Sequence, residues 1–316
     1  VLKVKIFFFT TIVFILLVLL FLIHFTLTYK YTGNDKFVII KNNTAISEIA
    51  KILKNEDIFP HQSLLNIFLR VINQFYVLKA GEYKVENQSE LYFTIQNMIR
   101  GKSYQRILTI PPGITNTEIV KLITQEIKDC NNINELDYEN TYFFPDSYYF
   151  TYGMSCNFII NFIIENSNNI LNKTWEGNNN PILKNKDELL ILASIIEKES
   201  SRDDEIYNIS GVFSNRIKNK IKLQADPTTI YSITKGKIKF NRALTTQDLL
   251  IKDDYNTYNI LGLPPGKICN PSLNSLKAAA NPADVNYLYF VADNNGKHLF
   301  SANLKQHQKN INSIKK

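Results

Sequence analysis

Two glutamates, Glu197 and Glu199, close an almost wholly apolar run from Leu189 to Ile196, within Ala193-Ser194-Ile195-Ile196-Glu197-Lys198-Glu199-Ser200. Asn185 followed by Glu188 reads as a capping box, so the run is expected to be helical. On a helix, residues three, four and seven apart share a face. Counting back from Glu199 gives Ile196, Ile195 and Leu192, whereas Glu197 stands over Ser194, Ala193 and Leu190. A carboxyl held against apolar surface loses hydration, its charged form is disfavoured, and it can stay protonated near neutral pH. A protonated glutamate of this kind is a general acid. The plain alternative is a helix that emerges into water with both glutamates solvated.

Other reactive side chains are sparse. Cys130, Cys156 and Cys269 are widely spaced and odd in number, which gives neither a disulfide framework nor a CxxC metal site. Of the four histidines, the closest pair stands at positions 298 and 307, which is not ligand spacing on one helix; no metal and no cofactor are expected. The segment Phe143-Phe144-Pro145-Asp146-Ser147-Tyr148-Tyr149-Phe150 is rich in aromatics, which stack on sugars or bases but more often fill cores. Net charge is +7, with lysines scattered among Asn and Ile; this favours no partner by itself, and nucleic acid is not expected.

The elements that must carry these residues begin with a charge-free run from Ile6 to Ile23, extended to Tyr29. Spanning a bilayer takes about 20 predominantly apolar residues. No small-residue cleavage site follows the run, so it reads as an uncleaved anchor over 6–29 with a cytoplasmic tail at 1–5. Lys3 and Lys5 outweigh Lys30, which places everything after Tyr29 on the outer side. Beyond it, a strand at Phe37 to Ile40 precedes a helix pattern, Ile46, Ile49, Ile52-Leu53; Ala80 to Val85 reads as turn and strand; Leu91 to Ile99 as a helix; Arg106 to Ile110 as a strand; and Thr115 starts another helix. These make a small α+β module. The Asn-rich segment 166–180 reads as a surface loop or helix end. Farther on, Asp203 and Asp204 precede an amphipathic helix, Asp226-Pro227 reads as an N-cap acid before a helix-starting proline, Asn270-Pro271 opens a helix, and Asn295-Gly296 marks a hairpin followed by a basic helix. The fold class is α+β with an α-rich C-terminal half.

The order of motifs resembles a known family. After the Glu197–Ser200 stretch come Val212-Phe213-Ser214-Asn215-Arg216, Leu223-Gln224-Ala225-Asp226-Pro227-Thr228, Tyr255-Asn256-Thr257-Tyr258, Gly262-Leu263-Pro264-Pro265-Gly266, Leu276 to Pro282 and Tyr287 to Asp293. Together they look like the YceG-like (MltG) family of endolytic murein transglycosylases. One departure is Asn140-Thr141, where the family usually has Glu-Gly ahead of Phe144-Pro145-Asp146. The resemblance implies a LysM-like glycan-binding module over 37–135 and a lytic-transglycosylase-type catalytic domain over 140–316 with a small antiparallel hairpin. It implies a lyase of the bacterial cytoplasmic membrane, acting on peptidoglycan on the outer or periplasmic side, with peptidoglycan synthases as candidate partners. The family's catalytic glutamate, the one followed by Ser or Thr, maps to Glu199, with Glu197 as runner-up.

The chemistry so implied is cleavage of the bond between N-acetylmuramic acid and N-acetylglucosamine, ending nascent glycan strands. Protonated Glu199 gives its proton to the glycosidic oxygen; the resulting carboxylate takes a proton from the C6 hydroxyl of the same muramyl residue, which attacks C1 and closes a 1,6-anhydro ring. Such a tethered nucleophile has high effective molarity. Gln224, Asp226, Asn256 and Ser200 are the candidates for lining the site. Two other readings stay open: an inactive glycan-binding scaffold, and a hydrolysing muramidase with a second carboxylate from elsewhere in the fold.

Overall fold

A computed structural model describes residues 2–127, 130, 133–199, 202 and 204–314. Contacts divide the chain into two units: residues 1–107 with 149–154, and residues 108–148 with 155–316.

The first unit begins with α1, Leu2–Thr28. Its stretch Ile6–Thr28, 23 residues, is the one described helix long and apolar enough to cross a membrane. At 1.5 Å per residue it reaches about 35 Å, enough for a hydrocarbon core of about 30 Å. Its last turns pack onto the body of the unit: Thr26 is buried, and Tyr29, just beyond the helix, meets Phe59 edge-on at 5.0 Å. The strand β1 (Lys36–Ile40) leads through α2 (Ile46–Asn55) and α3 (Gln62–Asn73) to β2 (Gly81–Val85). The strands pair antiparallel, Val38 opposite Tyr83. Val38, Ile40, Ile49, Leu53, Leu65, Leu69 and Tyr83 close one core with the following α4 (Leu91–Arg100). The sequence reading did not anticipate α3.

From β3 (Gln105–Thr109) the chain passes into the second unit. There α5 (Asn116–Glu126) opens with a capping box between Thr115 and Glu118. α5 is tied into the second unit. Thr115 Oγ1 donates to the Gly236 carbonyl, and Lys267 Nζ donates to Asn116 Oδ1 at 2.7 Å. β4 (Ser147–Thr151) pairs with β3. The aromatic segment is largely core: Phe143, Phe144, Tyr148 and Phe150 are buried, while Tyr149 is exposed.

The helix α6 spans Cys156–Glu176. Of the two readings of the Asn-rich segment, surface loop or helix end, it is helix end as far as Glu176, because Ile159, Ile163, Ser167 and Leu171 repeat every four residues and are buried. A disulfide joins Cys130 to Cys156 and leaves Cys269 free and buried, a single pairing that the sparse, odd set of cysteines did not indicate. The centre of the unit is α7, Lys186–Glu199, with every residue from Leu189 to Ile196 buried. Around it lie α8 (Ile206–Lys218), α9 (Asp226–Thr234), the short α10 (Thr246–Leu249) and α11 (Leu273–Ala280). The hairpin of β5 (Tyr289–Ala292) and β6 (His298–Ser301) follows, then α12 (Leu304–Ile314). Gly211 lets the chain lie directly on α8: a Cβ there would stand 2.8 Å from the Ala283 carbonyl oxygen. Asn215 Nδ2 then donates to the carbonyls of Val285 and Tyr287, which fixes the hairpin over α8.

Candidate active site

The helix carrying the two glutamates is held at both ends. At its start, Asn185 Oδ1 accepts the Glu188 backbone N–H, and the Glu188 carboxylate reaches back to the Lys184 N–H. At its end the two glutamates part. Glu197 Oε2 accepts three hydrogen bonds, from Ser272 N at 2.9 Å, Ser272 Oγ at 2.6 Å and Ser275 Oγ at 2.7 Å. It is thus pinned at the start of α11, where a helix N-terminus favours negative charge. The carboxylate of Glu197, the runner-up for the acid, is neither solvated nor aimed into open space but engaged with Ser272 and Ser275.

Glu199 faces the other way, half-buried, into a cleft of about 520 Å³. Its walls include Arg216, Leu223, Gln224, Asp226, Tyr258, Tyr289, Phe290, His298 and His307. Burial pushes the Glu199 carboxyl up from 4.5 to about 8; the Asp226 carboxylate adds to the rise, and the Arg216 guanidinium opposes it. Among the described residues no side chain hydrogen-bonds to the Glu199 carboxyl, so desolvation is not compensated by local donors. Glu199 is accordingly a neutral acid at pH 7.

The opposite walls are rigid. Arg216, on α8, donates from Nε to the Leu288 carbonyl at 2.7 Å and from Nη1 to the carbonyls of Lys222 and Leu223. Its guanidinium also lies over the Tyr289 ring, 5.2 Å from the centroid. A locked cation beside the acid suits a site where negative charge appears on Glu199 after proton transfer. Tyr258 donates its hydroxyl to Asp226 Oδ1 at 2.6 Å. Burial first, and this hydrogen bond second, push the Tyr258 phenol up. His307 stacks on Tyr289 at 5.1 Å, and burial together with Arg216 pushes its pKa down.

Of the residues expected at the site, Glu199, Gln224 and Asp226 share this one cleft. Gln224 has φ of +51°, an uncommon backbone for a residue other than glycine, held by its N–H donating to the Thr257 carbonyl. Asp226 is the first residue of α9, not its cap, which is Ala225; its carboxylate is spent on Tyr258 instead. Asn256 does not line the cleft. It is fully buried, donating to the carbonyls of Leu249 and Ile251 and accepting from Thr229 Oγ1. Its position in the motif serves to brace the loop after α10. Ser200 lies outside the described residues. Glu205, His298 and His307 were not anticipated as site residues: His298 stands 93 positions from Glu205 in the chain, and no local pattern links them.

A model of the YceG-like family matches residues 38–313 of this chain. The endolytic murein transglycosylase of Bacillus subtilis (strain 168) is 31% identical over 304 residues, covering 85% of this chain and 82% of that protein. The endolytic murein transglycosylase of Streptococcus pneumoniae (serotype 2, strain D39) is 35% identical over 128 residues, 39% of this chain and 23% of the longer relative. The crystal structure of a YceG-like protein from Listeria monocytogenes aligns with a TM-score of 0.56 at 26% identity, over 89% of this chain and 99% of that one.

Proposed function

The chain belongs to the YceG-like family, and we propose from that premise that it is a membrane-anchored endolytic peptidoglycan transglycosylase, a lyase with Glu199 as its acid. The observation that carries this reading is Glu199 itself: a carboxyl held protonated to about pH 8 in a walled cleft beside a locked arginine. The relatives named endolytic murein transglycosylase supply the substrate class, a glycan of alternating N-acetylglucosamine and N-acetylmuramic acid. Glu199 protonates the glycosidic oxygen as the C1–O bond breaks. The C6 hydroxyl of the muramyl residue attacks C1, and the proton that it loses restores Glu199. The ring closes as a 1,6-anhydro end and no water is consumed. Gln224 and Asp226 bind the sugars flanking the cut, and Asp226 also keeps Glu199 neutral until substrate arrives. The substrate is nascent strand, whose cleavage ends elongation, and synthases of that strand are the natural protein partners.

The strand–helix–helix–strand order of the first unit supports a LysM-like, glycan-holding role. The apolar α1 fits a single-pass anchor, and the disulfide between Cys130 and Cys156 supports an outward catalytic unit, because disulfides persist in oxidising compartments. Asp226 favours one second reading. A second carboxylate in the cleft is what a hydrolysing muramidase needs. The test is digestion of isolated glycan strands followed by mass spectrometry. The parental chain should yield 1,6-anhydromuramyl ends and Glu199→Gln should lose them. Reducing ends from the parent would favour hydrolysis, and no cleavage would leave a binding scaffold.

A further inference from the structure

The outer side of α3, with the turn that follows it, carries an apolar stripe that the core of the first unit does not use. At about 100° per residue, the apolar side chains of α3 cover roughly 200° of its circumference, from Ile67 round to Leu69. The core takes only part of that arc: Leu65 and Leu69 are fully buried, whereas Ile67 and Val71, one turn apart, are exposed. The stripe continues past the helix end. The backbone N–H groups of Phe75 and Tyr76 both donate to the Ile72 carbonyl, which carries the chain round one further turn before Val77. Ile67, Val71, Phe75, Tyr76 and Val77 are between 53% and 75% exposed. Single exposed apolar residues are ordinary, but a contiguous run of large ones marks a surface that something covers. The other edge of α3 is polar, with Gln62, Asn66 and Arg70.

The neighbouring α1 indicates what the cover is. The Phe25 ring lies 6.3 Å from His61, and Phe21, Leu22 and Phe25 share an apolar groove of about 570 Å³ with Leu64 and Ile67. A hydrocarbon core of about 30 Å takes about 20 residues of helix, which counted from Ile6 ends near Phe25. Phe21 then lies about 6 Å inside the outer edge of the hydrocarbon. Leu64 and Ile67 border the same groove and stand at the same level. A helix seated in an interface buries its apolar side about 5–10 Å into the boundary between headgroups and acyl chains, while its basic residues reach toward the phosphates. The depth of Ile67 and the place of Arg70 on the polar edge match that arrangement. Tyr76, with an apolar ring and a polar tip, suits the headgroup level.

We propose that α3 and residues 74–77 lie in the outer leaflet of the bilayer and seat the first unit on the membrane beside its own anchor. This rests on the reading of α1 as that anchor. The occupant of the stripe is lipid, whose acyl chains fill the groove between α1 and α3. By itself a stripe of this size gives only marginal, reversible binding, as a single acyl chain does; α1 supplies the tether and the high local concentration. Removal of α1 therefore still releases the chain. The seat holds the unit at the level where nascent strand leaves the membrane.

The test uses the full chain in lipid vesicles, at a density low enough that most vesicles hold a single chain and no second copy covers the stripe. Trp175 is the only tryptophan, so Trp175→Phe gives a dark background. One probe is then added, either Phe75→Trp on the stripe or Phe14→Trp in the middle of the anchor, with folding checked by thermal melting. Where Trp175→Phe melts early, the same signal is read as a difference from the chain that keeps Trp175 alone. Lipids brominated high on their acyl chains should lower the emission of the Phe75→Trp probe at least about twofold, and more than lipids brominated near the terminal methyls. The Phe14→Trp probe should show the reverse order. Adding Val71→Asp, at an exposed position, should cut the quenching of the Phe75→Trp probe at least about twofold and leave the Phe14→Trp probe as it was. Quenching of the Phe14→Trp probe with none of the Phe75→Trp probe would overturn the seat and leave the anchor. So would quenching of the Phe75→Trp probe that Val71→Asp does not change. An unquenched Phe14→Trp probe would instead overturn the anchor, and the seat with it.

Discussion

Replacing Glu199 by glutamine should remove activity and, at the same time, stabilise the fold in a pH-dependent way. The folded carboxyl titrates at about 8, against an ordinary value of 4.5 in the unfolded chain. Between those values the folded state holds a proton that the unfolded state has released, so unfolding becomes easier as pH rises through the window. The stability associated with this group is fully present below pH 4.5 and falls by about 1.4 kcal/mol per pH unit up to about pH 8. At pH 7 the accumulated penalty is about 3 kcal/mol, and above pH 8 it levels at about 5 kcal/mol. Glutamine does not titrate and escapes the penalty, while its bulk and polarity match those of the protonated acid. The assay is urea unfolding of the parental and Glu199→Gln chains in detergent, followed at pH 4.5, 6, 7 and 8.5. The two curves should nearly coincide at pH 4.5 and separate steadily, with the variant the more stable by about 3 kcal/mol at pH 7. Equal stability at all four pH values would show that Glu199 is an ordinary solvated carboxylate and would refute the reasoning.

The parental rate of strand cleavage should fall as pH rises through about 8, where the protonated acid is lost; a rate that keeps rising to pH 10 would contradict this. In Asp226→Asn, one of the influences that raise the Glu199 carboxyl disappears, so the alkaline fall should move to lower pH; an unchanged pH–rate profile would separate the two carboxyls. Glu197→Gln should cost about 1–3 kcal/mol of stability by weakening the clasp on Ser272 and Ser275, while cleavage survives within about tenfold; a soundly folded but inactive variant would transfer the acid role to Glu197. Protease added outside spheroplasts should digest the C-terminal unit, and deletion of residues 1–28 should release the chain from membranes; full protection, or continued membrane retention, would count against the anchor and its orientation.

Local signals in the sequence were sufficient for the helix that carries the candidate acid. The apolar run ending at Glu199 is a buried helix with the expected cap at Asn185, and Asn295-Gly296 turns a hairpin. Other features depended on partners distant in the chain. The Asn-rich end of α6 is helical because its apolar face is covered, a tertiary gain that overrides weak propensity. Spacing set Glu199 over the Ile–Leu stripe and Glu197 over Ser194 and Ala193, yet both faces of α7 are buried; what Glu197 meets there is the start of α11, far along the chain. Asn256 shares a motif with Tyr258, yet one turns into the core and the other to the cleft, a distinction that rests on the carbonyls of Leu249 and Ile251. The Cys130–Cys156 pair and the Glu205–His298 pair likewise exist only once the helices have packed.

The central claim is that the glycosidic bond is broken without water, through one protonated glutamate. The most direct test is cleavage of isolated glycan strands in water enriched in a heavy oxygen isotope, with mass spectrometry of the new muramyl ends. Intramolecular attack gives anhydro ends that carry no heavy oxygen and that vanish in Glu199→Gln. New ends that carry one heavy oxygen atom would show that water is the nucleophile and would contradict it.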